Sequence, residues 1–186
     1  MPLVKGFAMT DELLPPKNRD PAIELLIDDH TRMIKTLENV RRIGKKTFRK
    51  LSVAGLTAWK KETQQLRKEL EEHMVKEEQV LYALLSQYVD ARVGPLGVLL
   101  YEHEQIAKQL NLFEQKLSLL VHLNGKDTNL LREAYELCQN MHTTMCEHFA
   151  KEEKNGYLLA QGVLTRTDLS HMLRKFRKIS AHKNKV

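Results

Sequence analysis

The chain has 186 residues, which is enough for one domain with a sizeable core and short extensions. It is 42% hydrophobic and 29% charged, as in ordinary globular proteins, and no apolar run is long enough to span a membrane. Residues 171–186 account for the formal charge of +6, because they contain no acidic residue and six basic ones. The basic residues are Arg174, Lys175, Arg177, Lys178, Lys183 and Lys185. The N-terminus lacks the layout of a secretory signal, so we expect a cytoplasmic protein.

The first helix is predicted after an N-terminal arm at residues 1–19. Asp20 is a suitable N-cap and Pro21 would occupy the first helical position. The pattern continues to about Lys46, and His30 lies on its apolar stripe. The apolar residues recur at helical spacing, at Ile23, Ile27, Ile34, Leu37 and Val40.

The second and third helices also carry histidines on their apolar stripes. The second is predicted from about Leu56 to Tyr88, with His73 and Glu77 among its inward-facing positions. The third begins after the turn signal Gly94-Pro95 and carries His103. We therefore expect both helices to present polar, metal-ligating side chains to the interior.

The fourth helix follows the turn signal at residues 124–127 and carries His148 and Glu152. We expect it to stop near Asn155-Gly156, a usual C-terminal signal. These helices place a bundle domain at residues 20–160. Residues 161–186 are predicted to form a short C-terminal helix, capped by Thr167-Asp168, followed by a basic tail.

Four amphipathic helices with short connections predict an all-α fold, an antiparallel up-down-up-down four-helix bundle. In an antiparallel hairpin, two residues at one level lie equally far from the turn. The midpoint between His103 and His148 falls in the turn at residues 124–127. The midpoint between His30 and His73 falls close to the predicted turn between the first two helices. Candidate site residues are therefore expected at one level of the bundle.

A near-repeat carries the candidate metal site. Residues 72–78, EHMVKEE, return as residues 147–153, EHFAKEE. Each copy places a histidine and a glutamate four residues apart, on one helix face and within reach of one metal centre. A lone histidine precedes each copy, so two helical hairpins supply equivalent sets. The predicted ligands of this binuclear site are His30, His73, Glu77, His103, His148 and Glu152.

Imidazole and carboxylate ligands suit iron, manganese or zinc. Four histidines and two glutamates give three protein ligands per metal if each glutamate belongs to one centre, and carboxylates can instead bridge two ions. In either arrangement coordination positions remain for a small molecule, which indicates a reactive centre more than a structural one. The metal interpretation also explains Glu77 and Glu152, because an unpaired carboxylate in a core is costly.

Other polar residues near the site have two interpretations each. Glu78 and Glu153 are predicted on the solvated face, with support of the ligands as the alternative. Tyr82 and Tyr157 are expected to cap the bundle core, with a radical or proton-transfer role as the alternative. The acids that directly precede the ligand histidines are predicted to be surface charges. The alternative is that they orient an imidazole. These acids are Asp29, Glu72, Glu102 and Glu147.

As a set, these motifs resemble the hemerythrin-like, or HHE cation-binding, family over roughly residues 20–160. The resemblance rests on DDH ending at His30, EHMVKEE around His73, EHEQI around His103 and EHFAKEE around His148. It implies a four-helix bundle with a non-haem di-iron centre, bridged by two carboxylates and an oxo or hydroxo group. The two irons, in preference to manganese or zinc, would be held by His30, His73, Glu77, His103, His148 and Glu152.

One position departs from the family pattern. Oxygen-carrying hemerythrins place a second histidine one turn after the one on the third helix, and here that position is Ala107. The remaining set is similar to that of hemerythrin-like proteins linked to nitric-oxide or oxygen response, peroxide handling and iron supply. The resemblance thus implies a protein that binds or reacts with a small oxidant (oxygen, nitric oxide or peroxide), and the ligand set is compatible with an enzyme and with a sensor.

The basic C-terminal segment supports a second hypothesis, a metal-dependent interaction or regulatory module. Its amphipathic, positive helix could contact an acidic partner protein, nucleic acid or an anionic membrane surface. No DNA-binding motif accompanies it, so a nucleic-acid partner is not expected. A solvated tail that covers the bundle end is the third interpretation.

Overall fold

The computed structural model describes residues 19–90 and 94–183, and the predicted all-α class is confirmed for these ranges. Helix α1 spans Pro21–Arg49. Helix α2 spans Val53–Lys76 and continues through a π-helical segment, Glu77–Tyr82, into one turn at Ala83–Leu85. Helix α3 spans Pro95–His122. Helix α4 spans Thr128–Lys151 and continues through a second π-helical segment, Glu152–Gly156, to Tyr157–Val163; α5 spans Arg166–Lys183.

Side-chain caps determine where three of the helices begin. Asp20 accepts a hydrogen bond from the backbone nitrogen of Ala22 at 2.8 Å, and Pro21 occupies the first helical position, as predicted. Ser52 and Asp127 cap α2 and α4 in the same way. Because Ser52 supplies this cap, α2 begins three residues before the predicted start.

The four long helices form a helical bundle in which α1 and α3 each pack on both α2 and α4. The interior contains two clusters of buried apolar residues. The first is built around Trp59 and Phe113, whose rings meet edge to face with centroids 5.4 Å apart. On α1, His30 lies between Leu26 of the second cluster and Met33 of the first. The candidate site thus sits between two apolar layers.

The prediction that the fourth helix stops near Asn155-Gly156 is wrong. The second π-helical segment includes the glycine, and the chain stays helical to Val163. Gly156 is buried, and a Cβ atom built on it would lie only 3.3 Å from Leu99 Cδ1. The close approach of α3, rather than a helix end, explains this glycine. Both π-helical segments begin at a predicted ligand glutamate.

Helix α5 is docked on the bundle and does not behave as a solvated tail. Its cap is formed by Thr165 and Asp168 instead of the predicted Thr167-Asp168: Thr165 Oγ1 accepts from Asp168 N at 3.2 Å, and Asp168 Oδ2 accepts from Thr165 N at 3.0 Å. Its apolar side chains join the second cluster, and its exposed face carries basic residues. The buried residues are Leu169, Met172 and Phe176.

Some predictions fall outside the described residues. These are the N-terminal arm except for Arg19, residues 91–93 before the turn at Gly94, and the end of the predicted basic tail at residues 184–186. Within the ranges that are described, none of the helices combines the length and the apolar character needed to cross a membrane.

Candidate metal centre

The structure brings all the predicted ligand residues together inside the bundle. The four histidines come from four different helices and are at most 2% exposed, and the two glutamates are fully buried. Candidate ligand atoms fall into two groups, in each of which they lie within 4.8 Å of one another. The groups are His30, His73, Glu77 and Glu152, and His103, His148 and Glu152.

The histidines form two pairs, and Glu152 lies between them. His30 Nε2 is 3.0 Å from His73 Nε2, and the rings of His103 and His148 have centroids 4.8 Å apart. Glu152 Oε2 lies 3.1 Å from His30 Nε2. The other carboxylate oxygen, Oε1, lies 3.0 Å from the Nε2 atoms of both histidines of the second pair. One carboxylate therefore contacts both pairs.

Several atoms of the cluster fit a cation placed between them. His30 Nδ1 donates to Glu153, and the Nε2 atom of the same ring faces His73 Nε2 at 3.0 Å. The Oε2 atoms of Glu77 and Glu152 are buried without a hydrogen-bond partner. Buried polar atoms are normally satisfied. The donor set therefore fits metal binding.

Each imidazole of the cluster has a carboxylate behind it, close to the Nδ1 atom. A carboxylate in this position fixes the tautomer and turns Nε2 toward a metal. Three of the contacts are hydrogen bonds, and the fourth is longer. The pairs are His30 with Glu153 (2.9 Å), His103 with Glu78 (2.8 Å), His148 with Glu102 (3.0 Å) and His73 with Asp29 (3.6 Å).

The solvated-face prediction agrees with the structure for Glu78, which is 41% exposed although its carboxylate also contacts His103. Glu153 and Glu102 are half-buried against histidines, so the alternative, support of an imidazole, describes them better. The surface-charge prediction is wrong for Asp29, which is buried. Glu147 is exposed, in agreement with its prediction. A signal for the missed residues was present in the sequence, because the acids occur at matching places in the two halves of the internal repeat. Asp29 corresponds to Glu102, and Glu78 corresponds to Glu153.

A buried network behind Asp29 extends to α5. Lys76 is 3% exposed, and its Nζ atom contacts Asp29 Oδ2 and Glu72 Oε1, both at 2.8 Å. Ser180 of α5 donates to Glu72 Oε1 at 2.6 Å. Burial disfavours the charged form of Asp29, but the nearby His73 imidazole and the hydrogen bond from Lys76 outweigh it and lower the pKa of Asp29 to about 2. Asp29 is thus held as a carboxylate.

Tyr82 and Tyr157 bind the buried glutamates, which goes beyond their predicted place at the core cap. Tyr82 Oη donates to Glu152 Oε1 at 2.9 Å, and Tyr157 Oη donates to Glu77 Oε1 at 2.8 Å. Each half of the internal repeat therefore supplies a hydroxyl to the glutamate of the other half. Burial and the nearby carboxylates raise the pKa of both phenols, so both remain protonated donors.

The electrostatics of the cluster favour positive charge on the histidine side and negative charge on the glutamates. Burial opposes protonation of His103, but its contacts with carboxylates, Glu152 first, raise its pKa to about 11. Burial also opposes ionisation of Glu152, yet hydrogen bonds from the surrounding histidines hold its pKa well below the usual range. The same carboxylates would stabilise a bound cation.

Comparison of the sequence with models of protein families identifies the family of this chain. The model of the Hemerythrin HHE cation binding domain matches residues 22–155. This chain belongs to the hemerythrin family. The hemerythrin match includes every residue of the cluster and ends before α5. No curated protein and no solved structure was found to match the chain.

The remaining described histidines of this hemerythrin-like chain lie outside the cluster, as predicted. His122 and His171 are exposed, and His142 Nε2 lies 2.7 Å from Glu38 Oε1. Ala107 is half-buried one turn after His103, so α3 supplies one histidine to the cluster.

Proposed function

We propose that this hemerythrin-like protein holds two iron ions in a carboxylate-bridged centre and binds or reacts with a small oxidant: oxygen, nitric oxide or peroxide. The position of Glu152 carries the proposal, because its two oxygens lie 3.1 Å and 3.0 Å from Nε2 atoms of different histidine pairs. Glu77 Oε2 likewise lies 3.2 Å from both His73 Nε2 and His103 Nε2. Two carboxylates shared in this way favour two ions over one.

The first histidine pair would hold one ion and the second pair the other, with the glutamates shared. Bound iron would supply redox-active positions at which a small oxidant can coordinate. The chain itself contributes oriented Nε2 atoms, a negative charge on each glutamate and two apolar clusters that exclude bulk water. The residues in these roles are His30, His73, His103, His148, Glu77 and Glu152.

Ala107 supports a reactive centre more than reversible oxygen carriage. The resemblance to oxygen-carrying hemerythrins would place a fifth histidine there, and an alanine has no ligand atom. With four histidines and two shared carboxylates, both ions would retain positions for exogenous ligands. Tyr82 and Tyr157 donate hydrogen bonds to Glu152 and Glu77, and they would hold these carboxylates in place when metal is bound.

We also infer that the four long helices alternate in direction and form one domain at residues 20–160. Side-chain contacts at one level support this topology, because the two histidines of each hairpin meet across adjacent helices. The approach of Leu51 to Gly125 supports it as well, since it joins the α1–α2 and α3–α4 loops at one end.

Metal analysis of anaerobically purified protein tests the proposal. We expect about two irons per chain, as a doubly bridged centre requires. Exposure to air, peroxide or nitric oxide should change the near-ultraviolet and visible absorption of the iron-loaded protein. His73→Ala should lose most of the iron and the spectral response, because the first pair would keep one imidazole. Inductively coupled plasma mass spectrometry and absorption spectroscopy supply both readouts.

His142→Ala is the matched control, because this histidine also pairs with a carboxylate but lies outside the cluster. It should retain the wild-type iron content and spectrum. A folded wild-type protein that takes up no iron contradicts the proposal. Equal losses in the two histidine variants contradict the assignment of the site.

A further inference from the structure

The end of the bundle away from the metal centre carries a large excess of positive charge. No acidic residue occurs between Glu38 and Glu62. This stretch forms the last part of α1, the α1–α2 loop and the first part of α2. It contains eight basic residues, which are Arg41, Arg42, Lys45, Lys46, Arg49, Lys50, Lys60 and Lys61. Before residue 171 the acidic and basic residues balance in number, but this stretch contains only basic ones.

The α3–α4 loop lies against this stretch and adds to its charge. A Cβ atom built on Gly125 would meet the side chain of Leu51 at 2.8 Å, so the two loops are in contact. Lys126 contributes an exposed cation. Asp127 caps α4, and Glu133 binds Lys116 at 2.7 Å. Glu38 forms an ion pair with Arg41 at 2.9 Å, so Arg41 adds little to the net charge of this surface. We call the surface formed by residues 41–61 and 124–127 the basic pole.

Large apolar side chains are exposed within the basic pole. Phe48 is 40% exposed, Leu51 is 41% exposed and Val53 is 46% exposed. They occupy the last turn of α1, the loop and the first position of α2. Lys45, Lys46, Arg49 and Lys50 are exposed around them. Exposed apolar and basic side chains therefore alternate along this end of the bundle, where Phe48 also stacks on Tyr135.

We propose that the basic pole binds the surface of an anionic lipid bilayer. Cations near such a surface each contribute about 1 kcal/mol of attraction. Apolar side chains at the tip can enter the boundary between head groups and acyl chains while lysine and arginine stay at the phosphates. A nucleic acid would use the cations but has less use for the exposed apolar side chains, because its backbone is contacted by polar groups.

The proposed surface lies far from the metal centre. His30 and Arg49 are 19 residues apart on α1, which corresponds to about 28 Å along the helix. A bilayer bound at the basic pole would leave the clustered ligands untouched. Variants of this surface can therefore be checked for normal iron content, which separates lipid binding from the chemistry of the centre.

Co-sedimentation of the full chain with vesicles tests the proposal. We expect binding to phosphatidylcholine vesicles that contain roughly 30% phosphatidylglycerol, and little binding to pure phosphatidylcholine. Binding should weaken as salt is raised, because the charges are exposed. Lys45→Glu with Lys46→Glu should lower the partition coefficient by roughly 25-fold or more, at about fivefold for each lost cation. Val53→Ser should lower it less.

Arg174→Glu with Lys175→Glu is the matched control. It changes the net charge equally, on the exposed face of α5. This control should bind vesicles within about twofold of wild type, since its cations lie outside the basic pole. Equal losses in the two double variants would show a dependence on net charge alone and overturn the proposal. It would also be overturned if duplex DNA, but not anionic vesicles, bound wild type and lost affinity in the pole variant.

Discussion

At the level of single residues, both halves of the bundle place a carboxylate between a histidine and a lysine, but the two lysines differ in solvent exposure. Asp29 lies behind His73 and contacts the buried Lys76, whereas Glu102 lies behind His148 and contacts Lys151. The Lys76 side chain is 3% exposed and that of Lys151 is 47% exposed. Asp29 therefore pairs with a buried lysine, whereas Glu102 pairs with a lysine that is exposed to solvent.

Removing an orienting carboxylate should weaken metal binding without removing a ligand. We expect Glu153→Ala to lower iron affinity by about 10–100-fold, because His30 Nδ1 would lose its acceptor. Competition with a chelator of known affinity measures the change. Glu147→Ala is the control, since Glu147 is exposed. Unchanged affinity in Glu153→Ala would show that His30 is oriented by its packing alone.

At the scale of elements, α5 completes the apolar core at the metal-centre end of the bundle. Phe176 is fully buried among residues of the second cluster, which also includes Leu26 of α1 and Leu81 of α2. Ser180 adds a hydrogen bond to the network that leads to Asp29. The family match ends at residue 155, before this helix, and the packing of α5 indicates that it stabilises this end of the domain.

Phe176→Ala should lower the free energy of unfolding by about 3–5 kcal/mol, because it leaves a cavity where a large side chain packs. Chemical denaturation followed by circular dichroism measures this change. Lys175→Ala, on the exposed face of the same helix, should change stability by less than about 0.5 kcal/mol. If the two variants unfold at the same denaturant concentration, α5 is not docked as described.

At the scale of the whole molecule, the sequence predicted the features that follow from regular helical spacing. His73 and Glu77 lie four residues apart and do point to one site. On a regular α-helix, Glu78 would turn away from that face. A π-helical segment begins at Glu77, however, and its wider turn accompanies the contact between Glu78 and His103. Regular helical spacing does not predict such a change of period, so the contacts of Glu78 and Glu153 with histidines were not predicted.

The basic pole was not predicted from the sequence, because its charge depends on which loops meet in the folded protein. Total counts of acids and bases in the body balance, but the loops bring residues 41–61 and 124–127 to one end of the bundle. Only the folded arrangement places Leu51 against Gly125. The basic pole therefore arises from the tertiary arrangement, and no single stretch of sequence contains all of it.

The buried glutamates should stabilise the metal-free fold through their contacts with the histidines. Glu77 and Glu152 are fully buried, and imidazole nitrogens within 3.2 Å of their Oε2 atoms hold the pKa of both carboxyl groups below the usual range. Replacing both by glutamine nearly preserves side-chain volume but removes the negative charges with which the histidines pair. In the presence of chelator, we expect the double variant to be less stable than wild type by about 3–5 kcal/mol, because buried imidazoles lose their charged partners.

Iron should widen this difference in stability. Anaerobic ferrous iron at about 100 times its dissociation constant should stabilise wild type by about 2.7 kcal/mol, and it should leave the double variant unchanged. Denaturant titrations with chelator and with iron measure both effects. Glu104→Gln with Glu147→Gln is the control, because it removes the same charge from exposed positions. If the buried variant were more stable than wild type in chelator, the histidines and tyrosines would not compensate for burial of the two carboxylates, and the prediction would be wrong.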